Sequence, residues 1–298
     1  MSAATQSSGG VRTNRTHIVS FSELDAVRQC KFKHHLSYRE RWRPETDALA
    51  LSRGKVFHSV LENHYLKIKA AQQTDADTYP DPFAVIEQSD LEDDQLDLLK
   101  WMYEGYLERY GLDPEWEILA VEQKIEERLA PRSSFILKGF VDLVVRDHSA
   151  GGGVFLIDHK TCRNLPKQRE LDFDDQMGIY TWLLKKQWIN VRGAQYSACR
   201  SNKLKRPMSL DERFQRSLTT RTDTELEVMA QEALTTFRSA YGVGQRGKAE
   251  GALPPRSPNP DTCGWRCPFV EPCLMSRKGR NIHELLPEMG FTQQHKRH

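Results

Sequence analysis

No stretch of this 298-residue chain approaches the roughly 20 consecutive apolar residues that a bilayer-crossing helix needs. The opening MSAATQSSGGVRTNRT also lacks the apolar centre of a secretory signal, so a soluble, intracellular protein is expected. Net charge is nearly absent: Lys+Arg 43 against Asp+Glu 41 leaves +2, and any surface for a polyanion has to be local. Cysteine is scarce, six in all, which in a reducing compartment argues against a disulfide framework. Three of the six crowd into Cys263–Cys273, and that crowding points to a metal site. A nucleotide-binding loop is missing too. The segment GVGQRGKA, Gly242–Ala249, fits G-x-G-x-x-G but follows a helical pattern and has Ala249 where Ser or Thr would bind Mg²⁺. Gly242 is expected to stop the preceding helix. Without a motor motif, ATP-driven unwinding is not expected.

The length suits one elaborated domain. After a polar, Gly/Ser-rich start, SFSELDAVRQC reads as a helix capped by Ser20 or Ser22 and reaching Cys30. GKVFHSVLENHYLKI has helical spacing and places His58 and Glu62 one turn apart. A helix near 91–111 is amphipathic and ends at Gly111. Three strand-like stretches follow, EILAVEQKIEERL, SFILKGFVDLVVRD and GVFLIDHKT, the last two joined by a turn-rich link. Then come a helix (FDDQMGIYTWLLKKQW), a strand (GAQYSACRS) and an amphipathic helix over 223–241. The order of helix, three strands, helix and strand points to an α/β fold with a mixed sheet.

The strand GVFLIDHKT carries the chemistry. Alternate strand residues share a face, so Asp158 and Lys160 project together and His159 points the other way. Hairpin pairing with GFVDLVV brings Asp142 close to Asp158. Two carboxylates and an ammonium on one face suit Mg²⁺ or Mn²⁺ and a phosphate. Attack on phosphorus needs a deprotonated water, and the nearby cation favours it and offsets charge at the reacting phosphate. A strand-end salt bridge is the plain alternative for an isolated Asp-x-Lys.

Five motifs in order, Gly54-x-x-x-His58, Glu122, Gly139-x-x-Asp142, Asp158-x-Lys160 and Gln176-x-x-x-Tyr180, make the chain resemble the PD-(D/E)XK nuclease superfamily in its RecB-like branch over residues 20–200. The resemblance implies a restriction-endonuclease-like αβββαβ core. It assigns His58, Asp142, Asp158 and the backbone carbonyl of His159 as metal ligands and Lys160 as the catalytic lysine. Glu122 either touches a metal or its water or is an ordinary exposed strand residue. Gln176 and Tyr180 would contact DNA or support the site. Arg200, Lys203, Lys205 and Arg206 offer either a phosphate-binding edge or a solvated loop.

Cys30 matches the early cysteine of the iron–sulfur subgroup of that branch, which includes AddB and the CRISPR adaptation nucleases. With Cys263, Cys267 and Cys273 it would hold a [4Fe–4S] cluster clasping the two chain ends. Structural Zn²⁺ is the competing ligand, and C-x3-C-x5-C departs from the usual C-x2-C-x5-C. Cys162 and Cys199 are expected to be small buried residues. The implied organisation is a disordered tail over 1–16, a single nuclease domain over 17–276 and a basic tail over 277–298, in the cytoplasm of a bacterium or a phage-infected cell. The implied activity is a metal-dependent DNA exonuclease acting on single strands or ends in recombination, repair or phage DNA metabolism. The alternative is a DNA-end-binding or adaptor protein of a recombination or CRISPR adaptation complex.

Overall fold

The apolar run at the start of Gly153–Cys162 is buried from Gly153 to His159, as a central strand requires. The computed structural model describes residues 16–45, 49–74, 78–250 and 253–294. In chain order its elements are β1 (His17–Ser20), α1 (Phe21–Gln29), α2 (Lys31–His34), a π-helical turn (His35–Arg39), β2 (Trp42–Pro44), α3 (Leu49–Gln73), α4 (Pro82–Glu87) and α5 (Asp93–Tyr110). Then follow β3 (Trp116–Arg128), β4 (Phe135–Asp147), β5 (Gly153–Cys162), α6 (Gln168–Asp172), α7 (Asp175–Gln187), β6 (Val191–Arg200), α8 (Leu210–Arg213) and β7 (Phe214–Thr219). The chain ends with α9 (Asp223–Glu250), α10 (Pro260–Arg266), α11 (Val270–Arg277), α12 (Ile282–Glu288) and β8 (Phe291–Gln293).

Six strands form a mixed sheet. β4 pairs with β3 along nearly its whole length; its other edge is shared between β1, parallel to Phe135–Lys138, and β5, antiparallel to Leu143–Asp147. β6 runs parallel to β5, and β7 antiparallel to β6. One face is covered by α1, α7 and α9 through Leu24, Met177, Leu183, Leu226 and Phe237. The other is covered by α3, α4 and α5 through Phe57, Leu61, Ile86, Leu99 and Met102. The expected order of three strands, helix and strand is present as β3, β4, β5, α7 and β6.

Local chemistry sets the ends of these elements. Ser20 accepts the Glu23 N–H at 3.2 Å and starts α1, while Gly111 takes φ 57° and ends α5. The fold opens one element earlier than expected, with the four-residue β1, and its other sheet edge is β7, whose FQRSLT has little apolar signal. Gly242 does not stop its helix; α9 continues to Glu250. A glycine inside a helix costs about 1 kcal/mol, which the buried face of Leu226, Leu234, Phe237 and Tyr241 offsets.

The C-terminal stretch is more than the expected basic tail. α12 buries Ile282, Leu285 and Leu286, and β8 pairs with β2. Phe269, Ile282, Leu286 and Phe291 join Phe32, Leu36 and Trp42 in a third core, so the two ends of the chain meet across an apolar clasp. Among the described residues no helix is long and apolar enough to cross a membrane.

Candidate active site

The split edge of β4 creates the site. Between Lys138, the last residue paired with β1, and Leu143, the first paired with β5, the strand lies in a fork, and Asp142 sits there. Side-chain alternation also breaks at this point. Leu137 and Val141 face the first core, yet Leu143 and Val145 face the second. Across the ladder Glu122 does the same for β3, with φ 47°, a left-handed conformation uncommon for a residue with a Cβ. Val121 packs on the second core and Ile125 on the first. A kink therefore runs through two adjacent strands at Glu122 and Asp142 and turns their side chains toward the end of β5. Such local strain concentrates at functional sites.

Asp142 Oδ2 accepts the His159 backbone N–H at 2.7 Å, in place of a strand partner, and lies 3.4 Å from His58 Nδ1 on α3. Burial works against the Asp142 charge, but the hydrogen bond and charge of His58 outweigh it and hold the carboxyl below its usual range. His58 is affected in the opposite direction: burial opposes its charge, and Asp142 raises its pKa. Lys160 Nζ lies 2.9 Å from Asp158 Oδ1 and 2.7 Å from Oδ2. Burial pushes the Asp158 carboxyl up to about 6 despite that ammonium. Burial also opposes charge on Lys160, yet Asp158 and Asp142 raise its pKa, so it stays an ammonium. Glu122 is pushed up to about 7 by burial, then by the charges of Asp142 and Glu62.

His159 projects to the far side of the sheet. Its ring stacks on Tyr65, centroids 5.5 Å apart at 13°, and neither ring nitrogen has a hydrogen-bond partner. Burial drives its pKa down to about 3, which keeps it neutral. Only its backbone is available to the site.

His58, Glu122, Asp142, Asp158 and Lys160 are thus brought together. Tyr180 fits the supporting alternative: it is buried, and a Cβ on Gly139 would come within 2.9 Å of its ring. Gly139 therefore admits the Tyr180 ring against β4, and Tyr180 supports the strand, with Gln176 half-buried one turn away. Of the basic quartet, Arg206 is engaged by Glu212, Arg200 is half-buried, and Lys203 and Lys205 are exposed. Cys199 is buried as expected, whereas Cys162 is only half-buried. Glu62 belongs to the site electrostatically; its spacing of four from His58 on one helix was the signal for it.

The donors suit a hard divalent cation: two carboxylates, of which Asp158 is buried with only the Lys160 ammonium as its ion-pair partner, beside the backbone of His159. Among the described residues no three His, Cys, Asp or Glu side chains converge as a ready metal cage. In the site, Lys160 and His58 take up the carboxylate charge instead. In the clasp, Cys30, Cys267 and Cys273 pack against the third core, and burial raises the Cys267 thiol, followed in smaller measure by the charges of Cys263 and Cys30. The four thiols gather in one region without forming a ligand set.

The profile of the PD-(D/E)XK nuclease superfamily matches residues 18–274. A crystal structure of a "putative exonuclease" from Eubacterium rectale is similar at TM-score 0.50 and 12% identity, covering 94% of this chain and 95% of that one. The structure of SSO0001 is more distant, at TM-score 0.32 and 13% identity over 84% of this chain and 94% of that one. No curated protein matches.

Proposed function

This chain belongs to the PD-(D/E)XK nuclease superfamily, and from that premise we propose that it is a divalent-metal-dependent DNA exonuclease of the RecB-like branch, acting on single strands or DNA ends. The observation that carries the reading is the meeting of Asp142, Asp158 and Lys160 at the fork in β4, with Asp142 tied to the His159 backbone. Asp142, Asp158, His58 and the His159 carbonyl would hold Mg²⁺ or Mn²⁺, which when bound polarises the scissile phosphate and lowers the pKa of water. Lys160, kept charged by its carboxylates, sets a positive charge where the phosphate gains negative charge. His58 holds Asp142 in place from α3. Glu122, pushed up to about 7 by burial and then by the charge of Asp142, would exchange a proton at its carboxyl oxygen.

For the clasp we propose a [4Fe–4S] cluster on Cys30, Cys263, Cys267 and Cys273, with structural Zn²⁺ as the competing occupant. The support is the shared location of these thiols beside the core that joins both chain ends. Protein purified without oxygen is expected to be brown and to contain iron and sulfide. Colourless protein with stoichiometric zinc would reject the cluster.

End-labelled single- and double-stranded DNA with Mg²⁺ or Mn²⁺ tests the activity. Wild type should degrade it from an end, and Asp158→Ala and Lys160→Ala should each lose about 10³-fold or more. Degradation that survives both substitutions would reject this site. Cleavage of closed circles would identify an endonuclease, and binding without cleavage by wild type would favour a recognition role.

A further inference from the structure

Next to the site, α3, α5 and the segments that follow β5 and β6 line an open cavity of about 630 Å³. Arg53, Arg163 and Lys203 line it, against a single carboxylate, Asp94. Asp94 accepts a hydrogen bond from Gln95 Nε2 at 2.8 Å, and Gln95 Oε1 accepts one from Arg53 at 2.8 Å. None of the three cations pairs with a carboxylate among the described residues, unlike Arg206, which Glu212 neutralises. Two lining residues also carry buried atoms without hydrogen bonds, Arg53 Nε and Asn202 Oδ1. Turning the Asn202 amide by 180° would present donors instead of that acceptor. Lys203 Nζ is 5.5 Å from the centroid of the Trp101 ring. The cavity thus offers excess positive charge and unused hydrogen-bonding capacity, the pattern an anion completes.

Its position relates it to the cleavage site. Arg53 adjoins Gly54, where a Cβ would meet Thr161 Oγ1 at 3.3 Å, so α3 runs close against the end of β5. That helix also carries His58, and Thr161, which lines the cavity, follows Lys160 directly. At about 3.3 Å per strand residue, Thr161 lies about 10 Å beyond Asp158. The cavity therefore lies within a few nucleotides of the reacting phosphate.

We propose that this cavity is a phosphate subsite that holds the substrate strand a few nucleotides from the bond that is cut. The inference rests on the nuclease reading for its substrate. The phosphate is either internal to the strand or at its terminus, and both place the same dianion or monoanion between Arg53, Arg163 and Lys203. A terminal phosphate would make the cavity a ruler that sets product length and the end from which cleavage starts.

The test uses the full chain and single-stranded oligonucleotides carrying a 5′-phosphate, a 3′-phosphate or hydroxyls at both ends, and a circular single strand. Binding is measured by fluorescence anisotropy in EDTA over a salt series, and cleavage separately with Mn²⁺. The double variant Arg163→Gln/Lys203→Gln should bind about tenfold more weakly, with a salt slope reduced by about 0.7 per lost contact. Lys186→Gln, an exposed lysine on α7 that pairs with Glu227 and lies outside the cavity, should change neither. If the loss is confined to one phosphorylated end, the subsite takes a terminal phosphate; if it is equal for all four, an internal one. Equal affinity and slope for wild type and the double variant, with cleavage intact, would overturn the subsite and leave the nuclease reading standing. Weakened binding by the double variant with no wild-type cleavage would do the reverse. A wild type that neither binds nor cleaves would overturn both.

Discussion

Two buried ion pairs lie on opposite sides of the same sheet, and they differ in how completely they are satisfied. Behind the sheet, Asp113 takes Arg216 on both oxygens, and Oδ2 also accepts the Tyr65 hydroxyl at 2.7 Å. The guanidinium lies between Tyr110 and Trp116, 3.6 and 4.1 Å from their ring centroids, and donates to Tyr106 at 3.0 Å. Only Arg216 Nε is left without a partner. In front, both oxygens of Asp158 meet only the Lys160 ammonium, and Asp142 stands beside it as a like charge. The first pair is a closed network and rigidifies the packing of α3 and α5 on the sheet. The second is an open one and keeps its electrostatic capacity for a ligand. His159 connects them, with its backbone in the open site and its ring against Tyr65 of the closed one.

Substitution on each side separates the two most strongly. Asp158→Asn should abolish DNA degradation at a stability cost smaller than that of breaking a closed pair, since Lys160, its side chain 30% exposed, keeps solvent and Asp142 when its partner is lost. Arg216→Met should instead cost about 3–5 kcal/mol in urea unfolding, because Asp113 is left buried and unpaired. Activity per folded molecule should fall far less than in Asp158→Asn. Similar stability losses for the two variants would erase the distinction between open and closed pairs.

A pH effect of smaller size belongs to the closed side. His64, hydrogen-bonded through Nδ1 to Tyr103 at 3.1 Å, is pushed down to about 4 by burial. Its folded pKa is below the unfolded value of about 6.5, so the unfolded chain takes the proton first. The stability linked to His64 is complete above about pH 6.5 and is lost as pH falls toward about 4, by about 3 kcal/mol at 1.36 kcal/mol per unit. His64→Phe should flatten this part of the stability profile. An unchanged slope between those pH values would show that His64 does not titrate with unfolding.

The smallest effect is expected where the open site meets its support. Gly139→Ala would drive a methyl into the Tyr180 ring and should cost about 1–3 kcal/mol. Adding Tyr180→Val should recover most of it. No recovery in the double variant would mean that the glycine serves the backbone and not the ring.

Much of the open site was legible because its residues are close in sequence and follow strand and helix periods. Asp158 and Lys160 are two apart, so alternation alone puts them on one face, and hairpin pairing sets Asp142 near Asp158, although the break in alternation at Asp142 had no sequence signal. Glu62 could be found from its spacing to His58. The closed pair was not legible: Asp113 and Arg216 are 103 residues apart and β7, which carries Arg216, has a polar pattern. The folded C-terminus was signalled by Ile282, Leu285 and Leu286 at helical spacing, but the basic residues around them obscured it. Tyr180 has a motif position and a phenol, and only its packing on Gly139 shows that it faces inward.

The sequence by itself determined the order of the central strands and helices, the shared face of Asp158 and Lys160 and the nuclease family, because local periodicity and motif order are properties of the chain. Tertiary structure decided the rest. The fork in β4 exists because β1 and β5 divide one strand edge between them, and Glu122 turns into the site through a left-handed backbone that its residue type does not favour. Arg53, Arg163 and Lys203 share a cavity only because α3 packs on the end of β5. Pairings between distant segments depend on which surfaces bury each other, and that is settled by the whole core at once.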